Sequence, residues 1–295
     1  WGALEANPYF YRHKAGKNAI SFHGGTTVPG ISYARFLNYA NQLGAYAAIS
    51  IGTDATPLSD WREFPEETAR KFIEYLSGST GDEAQKRIEE GFTDDLIATS
   101  KGLFIEFGNE PWGGTCEPNC GLSDVNHNAN GFNNYINYRQ WCRRLARGFK
   151  TAPGYDSTKI KLLYSARNPH PGDSYGLTET MLQGSATDID RVDGISVAGY
   201  LGGNLNYSIE IPRGESELDY YKSGFRFMNR NLEGLKLTMD IDYQEQKKQR
   251  PFFFYESSMS RADYYGRLGQ AIVMTDYFLS SMKLGNMLPA IFVLQ

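Results

Sequence analysis

The stretch Phe104-Ile-Glu-Phe-Gly-Asn-Glu-Pro-Trp112 joins a short apolar run to an abrupt polar ending. The apolar part predicts a buried β-strand, and Pro111 favours the end of that strand because proline cannot donate a sheet hydrogen bond. In parallel α/β folds, the residues just beyond the carboxyl ends of the strands form the functional site. Asn109 and Glu110 therefore stand where catalytic or binding residues are expected, although an acidic loop turn is the plainer alternative.

Short apolar runs alternate with helical patterns along the chain. The runs span residues 20–25, 44–52, 102–109, 159–166, 192–200, 251–257 and 287–294, and the helical patterns span 32–43, 65–77, 133–150 and 263–284. This alternation predicts a parallel α/β fold, and we expect a (β/α)8 TIM barrel as a single domain over residues 1–295, with an irregular segment at 1–19. A doubly wound sheet is the alternative, but neither a Gly-x-Gly-x-x-Gly nor a Walker motif follows the first run, which argues against nucleotide binding.

A second carboxylate ends another apolar run, Pro251-Phe-Phe-Phe-Tyr-Glu-Ser257. The aromatic residues predict a buried strand, and Glu256 lies at its end. Two further runs, 159–166 and 192–200, separate this strand from the one that leads to Glu110. A carboxylate at an ordinary strand edge is the alternative interpretation.

Together these motifs resemble the clan A glycoside hydrolases. Asn109-Glu110-Pro111 is similar to the acid/base motif on their fourth strand, Glu256 is similar to the nucleophile that ends their seventh strand, and the two intervening runs match their strand order. Residues 22–25 and 43–52 resemble the second and third strand units of α-L-arabinofuranosidases, and strand order extends the likeness over residues 20–294. The resemblance implies a (β/α)8 barrel that hydrolyses glycosides with retention, with Glu110 as acid/base, Glu256 as nucleophile and Asn109 bonded to the sugar's 2-hydroxyl.

Retaining hydrolysis makes specific demands on this pair. One carboxylic acid donates a proton while one carboxylate attacks, and the two carboxyl groups lie about 5–5.5 Å apart across the scissile bond. We therefore expect Glu110 and Glu256 to face each other at the mouth of the barrel. The sequence predicts no cofactor and no metal, because the polar loop at 124–131 lacks the spacing of a calcium loop.

Four further residues are predicted to bind substrate. Tyr200 follows the run at 192–200, and the resemblance implies a hydrogen bond from it to the nucleophile, although many relatives carry a histidine where this chain has Ala198. Trp112 is a candidate sugar platform or packs against its own loop. His170 and His23 follow strand ends and either reach the cleft or are ordinary loop residues.

Three cysteines bear on the compartment. Cys116 and Cys120 flank Pro118 and Asn119, and this turn chemistry favours a small disulfide loop; two unpaired thiols are the alternative. A disulfide predicts a secreted, periplasmic or cell-surface protein. Cys142 lies in a helical pattern, where we expect a small buried hydrophobe.

The composition excludes some classes of binding partner. The net charge is −4, the pI is near 5.7 and no basic stripe occurs, so nucleic acid is not expected as a partner. The longest apolar runs are far shorter than a bilayer span, so membrane insertion is not expected either. The expected function is a retaining glycosidase that acts on a polysaccharide or its side chains. The alternative is a non-catalytic barrel that binds glycans or serves as a structural extracellular protein.

The seven apolar runs account for only seven of the eight strands of a barrel. By motif order the runs correspond to barrel strands two to eight, so strand one is expected upstream of Ile20. Residues 1–18 are a poor candidate for it, because they hold Gly2, Pro8 and Gly16 and a cluster of basic residues. We hypothesise that the barrel is incomplete at the first strand and the last helix, and that further segments of a longer polypeptide or another chain complete it. The alternative is that residues 1–18 form an irregular first strand.

Overall fold

A computed structural model describes most of the regular elements of the chain. The described residues are 19–21, 27–29, 32–51, 64–107, 132–166, 187, 189–198, 252–256, 268–284 and 287–289, with 218, 221–222, 224–226, 228–229, 232–233 and 236. The chain divides into two compact units: residues 1–163 with 185–192, and residues 164–184 with 193–295. The single domain predicted over residues 1–295 stays a prediction.

Parallel strands form the centre of the first unit. Strand β3 (Ala47–Ile51) pairs with β4 (Leu103–Phe107) in parallel, in a register that runs from Ala47 opposite Leu103 to Ile51 opposite Phe107. Strand β5 (Ile160–Ala166), of which residues 160–163 belong to this unit, lies next to β4. The amide of Leu103 donates to the carbonyl of Lys159 at 2.9 Å. Every residue of β4 is buried, as a mostly apolar run predicts for a strand covered on both faces.

Three long helices of this unit match the sequence patterns. Helix α1 (Tyr33–Gln42) begins after Ser32, whose side chain accepts a hydrogen bond from the Arg35 amide at 3.2 Å, a normal N-cap. Helix α2 (Pro65–Ser77) begins at a proline with two glutamates in its first turn, where the missing proline N–H costs nothing. The helices predicted at 32–43, 65–77 and 133–150 are confirmed.

Two short helices between α2 and β4 were not predicted. Helix α3 (Asp82–Glu89) is polar and buries few side chains, so it carries no clear apolar periodicity. Arg87 of α3 is 1% exposed, and its guanidinium donates to the carbonyls of Tyr75, Gly78 and Phe92 at 3.1, 2.7 and 3.0 Å. Helix α4 (Leu96–Thr99) is a single turn that begins at the capping side chain of Asp95.

The third long helix of this unit, Phe132–Lys150, is α5. It follows β4 along the chain, and its buried side chains recur at helical spacing at Tyr138, Cys142, Leu145 and Phe149. This stripe is the apolar face through which the helix packs on the core. Cys142 is fully buried as a free thiol, and burial raises its pKa, which confirms its prediction as a small core residue.

The second unit contains the other parallel strands. Its order is β6 (Gly194–Ala198), β7 (Phe252–Glu256) and β8 (Met287–Pro289), all parallel. Helix α6 (Leu268–Lys283) connects β7 to β8 in the strand–helix–strand order of parallel folds. It confirms the described part of the helix predicted at 263–284.

The first predicted run differs from the expectation. Strand β1 (Ala19–Ser21) pairs antiparallel with β2 (Thr27–Pro29), with Ala19 opposite Pro29 and Ser21 opposite Thr27. The run was predicted as a parallel barrel strand, and this assignment is wrong for the described residues. Gly24 and Gly25 fall between the two strands in the sequence, and paired glycines favour chain reversal over strand continuation.

Within the part of the chain that the structure describes, no helix is both long and apolar enough to cross a membrane.

Candidate functional site

The carboxyl end of β4 is the approach to the predicted acid/base residue. Phe107 is the last residue of β4 and is fully buried. Glu110 comes three residues later in the sequence. It lies outside the described residues, as do Asn109 and Trp112.

Helix α5 fixes the side chain of Phe107. The ring of Phe107 stacks on Phe149, with centroids 5.9 Å apart and planes at 14°, and meets Trp141 at 6.2 Å in an edge geometry. Tyr138 stacks on Trp141 at 5.9 Å, and its hydroxyl donates a hydrogen bond to the carbonyl of Phe107. We call Tyr138, Trp141 and Phe149 the α5 cradle, because they hold both the ring and the carbonyl of the strand's last residue.

The α5 cradle is itself supported by helix α2. A methyl group added at Gly148 of α5 would come within 2.5 Å of the Glu66 carbonyl oxygen, so the two helices touch backbone to backbone at this point. Phe72 of α2 meets Phe149 edge to face at 6.2 Å. The position of the end of β4 thus depends on its contacts with helix α5, and the position of α5 depends in turn on its contacts with helix α2.

A polar anchor holds the segment just before β6 to the end of α5. Arg147 forms two hydrogen bonds to the Asp190 carboxylate at 2.7 and 2.9 Å, and the Lys150 ammonium donates to the Arg191 carbonyl at 2.6 Å. The Arg147 hydrogen bonds lower the pKa of Asp190 and raise that of Arg147. This contact lies within the first unit and precedes the strand that neighbours β7.

The predicted nucleophile ends strand β7. Glu256 is the last residue of β7 and stands opposite Ala198, the last residue of β6. The register shifts between Val197 and Ala198. Such irregularities re-aim side chains and are common beside active sites. Glu256 therefore lies at the carboxyl end of a parallel strand, as the sequence predicts, next to a local break in the regular ladder.

Two polar residues inside strands were missed by the sequence analysis. Glu106 of β4 is 7% exposed, and Ser196 of β6 is fully buried. A buried carboxylate within an otherwise apolar strand departs from the expected pattern, because burying a charge is costly unless it is paired. Glu106 interrupts the apolar run four residues before Glu110. This interruption was the signal in the sequence that could have drawn attention to Glu106.

The remaining predicted residues are not covered by the described part of the chain. The separation of Glu110 from Glu256 therefore stays a prediction. Among the described residues, no group of three or more His, Cys, Asp or Glu side chains is placed to hold a metal ion. The predicted residues that lie outside the described ranges are Asn109, Glu110, Trp112, Cys116, Cys120, His23, His170 and Tyr200.

The chain shares its fold with two solved arabinofuranosidases. The GH51 arabinofuranosidase from Xanthomonas axonopodis pv. citri is 17% identical at a TM-score of 0.62, with 92% of this chain and 50% of that chain covered. AbfB, a family 51 α-L-arabinofuranosidase from Bifidobacterium longum, is 14% identical at a TM-score of 0.60, with 89% and 50% covered. The chain thus spans about half the length of each. No protein-family model and no curated protein matches it.

This likeness confirms the predicted fold class, the α/β fold of the TIM-barrel glycosidases. The resemblance to the clan A glycoside hydrolases therefore holds at the level of the fold. At this identity the likeness shows the fold and carries no residue roles.

Proposed function

We propose that the chain is the barrel of a retaining glycoside hydrolase that cleaves a polysaccharide or its side chains, with Glu110 as acid/base and Glu256 as nucleophile. The observation that carries the proposal is the position of Glu256 at the carboxyl end of β7, in a chain with the fold of glycosidases. Catalytic residues of such barrels come from the carboxyl ends of the strands. Glu110 follows the end of β4, so both carboxylates fit this rule.

The proposed reaction has two steps. In the first, the Glu256 carboxylate attacks the anomeric carbon while Glu110 transfers its proton to the glycosidic oxygen, which leaves as an alcohol. In the second, Glu110 takes a proton from water, and the resulting hydroxide displaces Glu256 from the sugar. The anomeric configuration is inverted twice and so retained, and Glu110 regains its proton.

The other predicted residues have supporting roles in this proposal. Asn109 binds the sugar's 2-hydroxyl, and Tyr200 donates a hydrogen bond that keeps the nucleophile ionised. Trp112 offers an aromatic face to the apolar C–H face of a sugar ring. His170 and His23 line the subsites beside the scissile bond.

The names of the two solved neighbours support a first choice of substrate class. The two solved neighbours are arabinofuranosidases by name. We therefore propose terminal α-L-arabinofuranosyl side chains as the first substrates to test. The Cys116–Cys120 disulfide, if formed, accords with a secreted, periplasmic or cell-surface enzyme that meets such polysaccharides.

The test is a panel of 4-nitrophenyl glycosides assayed with the wild type, Glu110→Ala and Glu256→Ala. Both variants should lose at least about 10²-fold in rate, the usual contribution of such groups. Glu89→Ala, at an exposed position of α3, is the matched control and should retain full activity.

Azide then separates the two roles. Azide should restore turnover of both variants, giving a glycosyl azide of inverted configuration with Glu256→Ala and of retained configuration with Glu110→Ala, because azide replaces a different group in each. A wild type that hydrolyses no glycoside but binds oligosaccharides would instead support the non-catalytic glycan-binding alternative.

A further inference from the structure

One hydrogen bond ties helix α5 to the backbone at the exit of β4. The hydroxyl of Tyr138 donates to the carbonyl of Phe107, across 31 positions of sequence. Both residues are fully buried. The carbonyl belongs to the last residue of β4, where the ladder with β3 ends at the pair Ile51 and Phe107.

A buried carbonyl at the end of a ladder needs a partner, because an unpaired buried polar group is costly. The tyrosine supplies that partner from a rigid helix, and the ring contacts of the α5 cradle hold the same residue from the side. The last peptide of β4 is thus fixed by a polar and an apolar contact together. The direction in which the chain leaves the sheet depends on both.

We propose that Tyr138 is a positioning residue for the acid/base carboxyl of Glu110. The inference rests on the proposed function. Three residues of chain reach at most about 10 Å, so a tilt of about 10° at Phe107 displaces Glu110 by about 2 Å. A misplacement of about 1 Å can cost about 10²-fold in rate. Loss of the hydroxyl therefore impairs proton donation to the leaving group.

The chain offers a matched control. Tyr75 is also fully buried, and its hydroxyl donates to the Glu90 carboxylate at 2.8 Å. Burial and the charge of Glu90 raise the pKa of Tyr75. Tyr75 lies on α2, and the partner of its hydroxyl is a side chain rather than the carbonyl of Phe107, so Tyr75→Phe removes a comparable buried hydroxyl and leaves the bond at the end of β4 in place.

The experiment compares two aryl glycosides of one sugar, a phenyl glycoside and a 2,4-dinitrophenyl glycoside. Phenolate needs protonation as it leaves, whereas dinitrophenolate does not. For Tyr138→Phe, kcat/KM should fall tenfold or more on the phenyl glycoside and less than twofold on the dinitrophenyl glycoside. The alkaline limb of the phenyl pH profile, which reports the acid/base group, should also shift. Tyr75→Phe should change neither substrate by more than twofold.

A purely structural role predicts a different result. Equal losses on both substrates, or losses that match those of Tyr75→Phe, would overturn the inference while leaving hydrolysis intact. A wild type inactive on every glycoside of the panel, and on both aryl glycosides here, would overturn the proposed function and the inference with it. Trp141→Phe, at a half-buried cradle position, provides a second variant if Tyr138→Phe does not fold. It should show the same leaving-group dependence to a smaller degree, and equal losses on both substrates would again overturn the inference.

Discussion

Gly148 is the point at which helix α5 meets the backbone of helix α2. A Cβ atom built on Gly148 lies 2.5 Å from the Glu66 carbonyl oxygen, 2.6 Å from the Glu66 Cα and 2.9 Å from the Ala69 Cβ. Ordinary contact begins near 3.4 Å, so Gly148→Ala requires the helices to separate by almost 1 Å. Two of the three obstacles are backbone atoms, which cannot rotate away.

Two opposing effects set the size of this change. Alanine in a helix interior is favoured over glycine by about 1 kcal/mol. Overpacking a filled interface costs about 1–3 kcal/mol, and a backbone obstacle places this site toward the upper end. We therefore expect Gly148→Ala to destabilise the protein by about 1–2 kcal/mol. At about 2–4 °C per kcal/mol, Tm should fall by about 2–8 °C.

Thermal unfolding followed by circular dichroism measures this effect. Gln140→Ala, at an exposed position on the same helix, is the control and should change stability by less than about 0.5 kcal/mol. A Tm for Gly148→Ala equal to or above that of the wild type would refute the reasoning. Helix propensity would then outweigh the contact, and the two helices could not be as close as described.

Two further predictions concern pH and redox state. Because Arg147 lowers the pKa of Asp190, their pair stabilises the fold above the unfolded-state value of about 3.9, and that stability is lost as pH falls through the lower folded-state pKa. Asp190→Asn should therefore cost about 0.5–1 kcal/mol near pH 7, and urea titrations should show the difference vanishing in acid; a constant difference would contradict the pairing. In the unreduced, denatured protein, iodoacetamide should label Cys142 alone, whereas additional labels on Cys116 and Cys120 would contradict the disulfide.

Local chemistry explains which elements were predictable. Ser32 as an N-cap and Pro65 in a first turn mark helix starts within a few residues, so α1 and α2 could be read from the sequence. Helix α3 could not, because its stability comes from Arg87 bonding to carbonyls of other segments rather than from an apolar stripe. Strand β1 was misassigned because a short apolar run carries no information about the direction of its partner.

The candidate site likewise contains residues that could be predicted from the sequence and residues that could not. Glu256 could be placed at a strand end because an aromatic run precedes it directly. Tyr138 could not be assigned a role, since its partner is a backbone carbonyl on another element and any residue type provides one. Contacts of this kind depend on how helix and strand pack, which periodicity does not specify.

The central claim is that Glu256 forms a covalent bond to the sugar. Glu110→Ala treated with a 2,4-dinitrophenyl glycoside of the sugar that the panel identifies should accumulate the glycosyl-enzyme, because dinitrophenolate leaves without acid and the second step lacks its base. Peptide mass spectrometry should then find the sugar on the peptide that contains Glu256. An adduct on another residue, or hydrolysis by the wild type with inversion of the anomeric carbon, would contradict the account.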